Sequence, residues 1–182
     1  MNPSASVKRW LAGILVIGLA GAPTGAAHAL DLGGLAKKAA GGAATGARDK
    51  VAKEVNAKLL AEGRKNQCSF KTDSDELVPG CDKKLKSLAN TLVEMKKKLA
   101  VGGVTDFKFE VSGHTDSSGK PEHNKELSAR RAATIARELV ARGISPHEII
   151  SVGMAAERPL VTPDDTPAKK AKNRRYELQV RF

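Results

Sequence analysis

Apolar residues recur every three or four positions in three stretches of this chain and gather into short strand-like runs in three others. Leu85, Leu88, Leu92, Met95 and Leu99 form one stripe. They predict a helix over Cys81–Leu99 that Gly102-Gly103 would end. Leu127, Arg131, Ile135 and Leu139 repeat the spacing and predict a second helix over Pro121–Arg142, with Gly143 where a C-terminal cap belongs. Phe107, Phe109 and Val111 alternate as a strand does. Ile149 to Val152 reads as another strand, and Tyr176, Leu178, Val180 and Phe182 as a last one, interleaved with Glu177, Gln179 and Arg181. Gln67 to Thr72 is short and can form a first strand, followed by the polar turn Thr72–Glu76. A long loop carrying Pro159, Pro163 and Pro167 precedes the last strand. The order β-α-β-α-β-loop-β predicts an α+β fold: one mixed sheet, two long helices on one face, and a helical extension in front.

That extension, residues 30–66, has two halves. From Arg48 to Arg64, Val51, Val55 and Leu59 recur among Lys50, Lys53, Glu54 and Lys58, the pattern of an amphipathic helix. The preceding part is rich in Gly and Ala, and Gly33, Gly34, Gly41, Gly42 and Gly46 lower its helix propensity. Three readings are open: a Gly/Ala/Lys-rich spacer, a self-associating helix using Gly42-x-x-x-Gly46, or a basic helix lying on anionic lipid. Further forward, Lys8-Arg9, the apolar run Trp10–Ala20 and the small-residue pair around Ala27-His28-Ala29 predict a secretory signal peptide over residues 1–29, cut before Leu30. A retained anchor would need about 20 apolar residues. Reaching that length would take in Pro23, Thr24, two glycines and His28. No cysteine lies near the junction to receive a lipid.

Charge and cysteine content narrow the partners. There are 31 Lys and Arg against 20 Asp and Glu, a formal net charge of +11. A basic exported protein meets anionic envelope polymers and lipid head groups rather than chromosomal DNA. With one Tyr and four Phe, the aromatic ladder of a base-stacking surface is also missing. Cys68 and Cys81 are the only cysteines. Export to an oxidising compartment makes a disulfide the expectation, contributing about 3 kcal/mol in the chain-entropy model; two free buried thiols are the alternative. Two thiols this far apart lack the close pairs of a zinc motif, so no metal site is expected.

Candidate chemistry sits in Val111-Ser-Gly-His-Thr-Asp116 and the helix after it, which carries Asn124, Leu127-Ser128 and Arg130-Arg131-Ala132. A carboxylate on a strand-end loop and a guanidinium on the next helix could hold a zwitterion. Asp116 would take an ammonium and Arg131 a carboxylate through its fork. No nucleophile–base pair is legible, and an Asp/Arg receptor must stay ionised, unlike an acid–base couple tuned towards neutral pH. No enzymatic activity and no cofactor are expected.

The same residues carry a resemblance. Gly113-His-Thr-Asp116, Gly119, Asn124-x-x-Leu127-Ser128-x-x-Arg131-Ala132, Gly143-Ile144, Gly153-x-x-x-Glu157-x-Pro159 and Asn173-Arg-Arg175, in this order, resemble the OmpA-like peptidoglycan-binding domain. The likeness covers residues 67–182. It implies that Asp116 and Arg131 grip the free amino-acid end of diaminopimelate in the peptidoglycan stem peptide. Phe70, Asp73, Thr115, Asn124, Leu127 and Arg174 would be pocket or rim residues, with Asn124 bracing the loop or lining the pocket and Arg174 mostly structural. Arg130 would be solvated and His114 a packed or exposed imidazole beside the loop. The implied function is non-covalent attachment of an envelope protein to the wall, in the periplasm and in association with the outer membrane of a Gram-negative bacterium. The alternative is a wall-tethering module of a larger assembly, with residues 30–66 as its protein or lipid interface.

Overall fold

The computed structural model describes residues 32–182, with side chains from Gly46 onward; the signal peptide expected at residues 1–29 lies outside them. Four helices and three strands follow in the order α1 (Leu32–Lys65), α2 (Asp82–Val101), β1 (Lys108–Gly113), α3 (Pro121–Val140), β2 (Ile149–Gly153), α4 (Pro167–Asn173) and β3 (Tyr176–Arg181). The sheet is mixed. β1 lies in the centre, parallel to β2 and antiparallel to β3, an α+β arrangement as the periodicity predicts.

Strand alternation separates the two faces of this sheet. Phe109 and Val111 of β1 oppose Val180 and Leu178 of β3, and all four are buried in one cluster with Leu85, Leu88, Leu92 and Leu99 of α2 and Ile135 and Leu139 of α3. On the other face, Glu110 accepts from Arg181 Nε at 3.0 Å and from Gln179 Nε2 at 2.5 Å, cross-strand pairs that suit a half-covered surface. α3 is capped by Ala141, and Gly143 in the turn after it has a φ of +96°, a left-handed position suited to glycine. Its neighbour Ile144 donates to the carbonyl of Leu139 at 3.2 Å.

Two expectations change at the N-terminal side. Residues 67–72 do not join the sheet; Phe70 forms only an isolated bridge with Leu77. The reason lies at the open edge of β3. There the Gln67 side chain accepts from the backbone N–H of Tyr176 at 3.2 Å and donates to its carbonyl at 2.8 Å. Asn56 accepts from the N–H of Val180 at 2.6 Å. Side-chain amides from α1 and just beyond it thus occupy edge groups that another strand would have paired.

The second change concerns α1. Its Val55 and Leu59 are fully buried in the common core, with Val51 packed against it. The amphipathic half of the extension is therefore built into the domain rather than standing off as a spacer. No helix among the described residues is long and apolar enough to cross a membrane.

The structure holds the two cysteines without the expected disulfide. Cys68 and Cys81 are free, buried thiols. The Sγ of Cys68 lies 3.9 Å from the Cys81 carbonyl oxygen, a hydrogen-bonding contact rather than a covalent one. Burial and the neighbouring Cys81 push the Cys68 thiol up to about 12.

Candidate functional site

The site is built where β1 and β2 end beneath α3. A Cβ on Gly153 would stand 2.6 Å from the backbone nitrogen of Ala129, and one on Gly113 would collide with the Ser128 carbonyl. Glycine at both strand ends lets α3 approach the sheet closely, and this sets Arg131 near enough to the loop after β1 for the Asp116 charge to act on it. That loop is pinned from both sides. His114 N–H donates to Arg175 O at 2.8 Å, and Thr115 N–H to Ala155 O at 2.9 Å. Ser128 Oγ accepts from Ala155 N–H at 3.0 Å while donating to Lys125 O, so it ties α3 to the β2 exit, a role beyond local helix stabilisation.

Asp116 is 8% exposed, and its charge is already engaged. Oδ2 accepts from Arg174 Nη1 at 2.7 Å and Oδ1 from Ser118 N–H at 3.0 Å. Burial alone would raise its pKa, but the hydrogen bonds from Arg174 and Ser118 outweigh that and hold it below the ordinary aspartate value. Asp116 is thus a carboxylate in the folded protein. Arg174, read from the sequence as mostly structural, is its direct partner.

Arg131 is equally buried. Its Nε donates to Ser74 O at 2.8 Å and its Nη2 to Lys71 O at 3.3 Å, and its guanidinium carbon stands 5.1 Å from the centre of the Phe70 ring. Part of the fork therefore holds the 71–76 turn, which brings Phe70 against the guanidinium face. Burial, then the nearby Arg174, lower its pKa, while Asp73, Asp116 and Asp75 oppose them.

Beside this pair opens a cavity of about 400 Å³ whose wall includes Phe70, His114, Arg131, Arg174 and Arg175. Arg64 from the last turn of α1 and Lys172 from α4 also line it. Of the residues read from the sequence, Phe70, Arg131 and Arg174 meet at this cavity. Asp73 takes a left-handed φ of 51° and lies 2.5 Å from His123 Nε2. Asn124 donates to Ser118 O at 2.8 Å, bracing the Asp116 loop, and Leu127 is buried. Thr115 is buried with its hydroxyl lacking a hydrogen-bond partner.

Sequence reasoning missed Asp164, Arg64, Lys172 and Arg175. Asp164 accepts from Ser117 N–H at 2.9 Å and from Asn173 Nδ2 at 2.9 Å, and the bonds from Ser117 and Asn173 hold it at about 2. Asn173 also accepts from Leu160 and Val161 N–H. Loop, α4 and site are thereby knitted together. No periodicity marks such residues.

Residues 69–174, more than half of the chain, match the OmpA family. The chain belongs to the OmpA family. It is 34% identical over 110 residues to the peptidoglycan-associated lipoprotein of Pseudomonas aeruginosa, covering 60% of this chain and 59% of that protein. It is 40% identical over 75 residues to the peptidoglycan-binding protein ArfA of Mycobacterium tuberculosis, covering 41% and 23%. The chain therefore spans roughly a quarter to three fifths of the length of these curated relatives. The crystal structure of the peptidoglycan-associated lipoprotein from Burkholderia pseudomallei shares its fold, with a TM-score of 0.52 at 23% identity, over 63% of this chain and 89% of that one. Asp116, Arg131 and Arg174 lie inside the OmpA family match, whereas Arg64 lies outside it.

Proposed function

We propose that this OmpA family protein binds peptidoglycan non-covalently through the diaminopimelate of the stem peptide and so anchors an envelope protein to the wall. The observation that carries this reading is the buried, ionised Asp116 held by Arg174, which lines the same cavity as Arg131. Arg174 holds the place of the ligand's ammonium at Asp116. When an amino-acid end arrives, its ammonium replaces or shares that contact, and its carboxylate meets Arg174 and the free donors of Arg131. The exchange swaps one charge-assisted pair for two, so the site need not bury an unpaired charge. The names of relatives such as ArfA and the peptidoglycan-associated lipoprotein support the wall as the target.

The reading includes export by residues 1–29 to the periplasm and a place beside the outer membrane. There the buried thiols of Cys68 and Cys81 would be oxidised to the bridge expected from their compartment, and mass spectrometry without reductant tests that step. Tethering of a larger assembly, the alternative, would assign its protein or lipid interface to residues 30–50, since Val51, Val55 and Leu59 are taken up by the core.

The deciding experiment is a pull-down with purified sacculi. Wild-type protein should sediment with them and folded Asp116→Ala protein should stay in the supernatant; equal sedimentation would reject the proposed site.

A further inference from the structure

The cavity beside Asp116 holds more positive charge than one amino-acid end requires. Arg64, Arg131, Lys172, Arg174 and Arg175 line it, and no carboxylate does. Arg131 and Arg174, with Asp116, answer the single ammonium and single carboxylate of a zwitterion. Arg175 is committed elsewhere, donating to Glu177 at 2.8 Å and to the carbonyls of Asn173 and Arg158. Arg64 and Lys172 are exposed and make no hydrogen bond or ion pair with another of the described residues. His114 lines the same cavity and is 2% exposed, with Nδ1 lacking any hydrogen-bond partner. Buried polar atoms without partners are uncommon and call for an explanation.

From this arrangement we infer that Arg64, Lys172 and His114 give this cavity a second anion subsite. It takes a further carboxylate of an acidic stem peptide, next to the residue held by Asp116 and Arg131. The inference rests on the peptidoglycan reading above and adds a requirement for a second negative group. The cavity volume is within the range of small-ligand sites, and Phe70, Leu160 and Ala171 give it apolar walls for the peptide backbone to lie along. Arg64 comes from α1, before the family match begins at residue 69. The docking of α1 against β3 is what carries this cation to the cavity, so the subsite belongs to the extension and the domain together.

The test uses the full chain and two soluble tripeptides, L-Ala-γ-D-Glu-diaminopimelate and the same peptide with the D-Glu α-carboxylate amidated. Wild-type protein should bind the acidic peptide about five- to tenfold more tightly, the scale of a partly exposed charge contact. The double variant Arg64→Gln, Lys172→Gln should lose that preference while binding the amidated peptide as wild type does. A control variant, Lys97→Gln with Arg130→Gln, removes as much charge away from the cavity and should keep the preference. Equal affinity of wild-type protein for the two peptides, or a preference that survives in the Arg64/Lys172 variant, overturns the second subsite alone. Loss of the preference in the control as well assigns it to overall charge and overturns it too. Failure of wild-type protein to bind either peptide, or unchanged binding of both by Asp116→Ala, overturns the peptidoglycan site itself and this inference with it.

Discussion

Beneath α2 and α3, Leu85, Leu88, Leu92, Leu99, Ile135 and Leu139 are each at most 1% exposed and pack into one apolar cluster with the sheet. At the C-terminal end of β1, Asp116, Asn124, Arg131, Asp164 and Asn173 are nearly as deeply buried, yet each is held by named hydrogen bonds. The two regions bury comparable side chains by different means. In the first, attraction is non-directional, and volume-conserving exchanges are tolerated. In the second, each group is held by a particular directed partner. Where that partner is half-exposed, as Arg174 is beside Asp116, losing the pair removes a charge a ligand would use while water takes its place. Stability should therefore track the first region and ligand binding the second.

The largest effect expected is on binding. Asp116→Ala should weaken sacculus binding by about 2–5 kcal/mol, roughly 30-fold to several-thousand-fold. Its melting temperature should move little, because the released Arg174 side chain is 45% exposed and can be solvated. Arg131→Ala should lose as much affinity and also loosen the 71–76 turn, while Arg131→Lys should recover only part, because an ammonium cannot reproduce the fork. Equal losses of stability and affinity in Asp116→Ala, measured by thermal melts beside pull-downs, would erase the contrast between the regions.

From the apolar side, Leu59→Ala should cost about 2–5 kcal/mol in denaturant unfolding and leave the affinity of the folded protein unchanged. A cost under about 0.5 kcal/mol, the range of ordinary surface changes, would remove α1 from the core.

A third test works through acid. Burial first, then Arg175, lowers the folded-state pKa of His114 to about 4, so between about pH 6.5 and 4 the unfolded chain binds the proton more readily. Stability is fully present above that window and is lost as the pH falls through it, by up to about 3 kcal/mol. Denaturant midpoints across this range should slope for wild type and flatten for His114→Asn. The depressed Asp164 acts lower: its contribution is present above the ordinary aspartate value near pH 4 and lost as the pH falls towards about 2. Asp164→Asn should flatten that acid limb. The smallest effect belongs to Arg130→Ala. Its pairs with Asp75 and Glu126 are 3.8 Å long and exposed, so stability should change by less than about 0.5 kcal/mol, and sacculus binding should not change.

How much of this was legible follows from how each element is encoded. α2, α3 and the three strands carry their own periodicity, so their positions and the mixed sheet were readable. Asp116 and Arg131 were readable as candidates because a turn acid and a helix cation stand in a fixed order along one segment. Gln67 to Thr72 was misread because alternation cannot report that the Gln67 and Asn56 side chains already occupy the edge of β3. The bridge from Arg174 to Asp116 spans 58 positions, and local pattern carries no information at that range.

By itself the sequence determined which segments become helices and strands, which faces are apolar, and the family motif with its acid and its arginine. These are local properties, set by backbone propensity and by the spacing of side chains along one element. Only the tertiary structure decided that α1 belongs to the core, that Arg174 guards Asp116, and that Arg64 and Lys172 reach the same cavity. Those contacts join residues far apart in the chain, and they exist because burying the apolar faces of α1, α2 and α3 on one sheet brings their ends together.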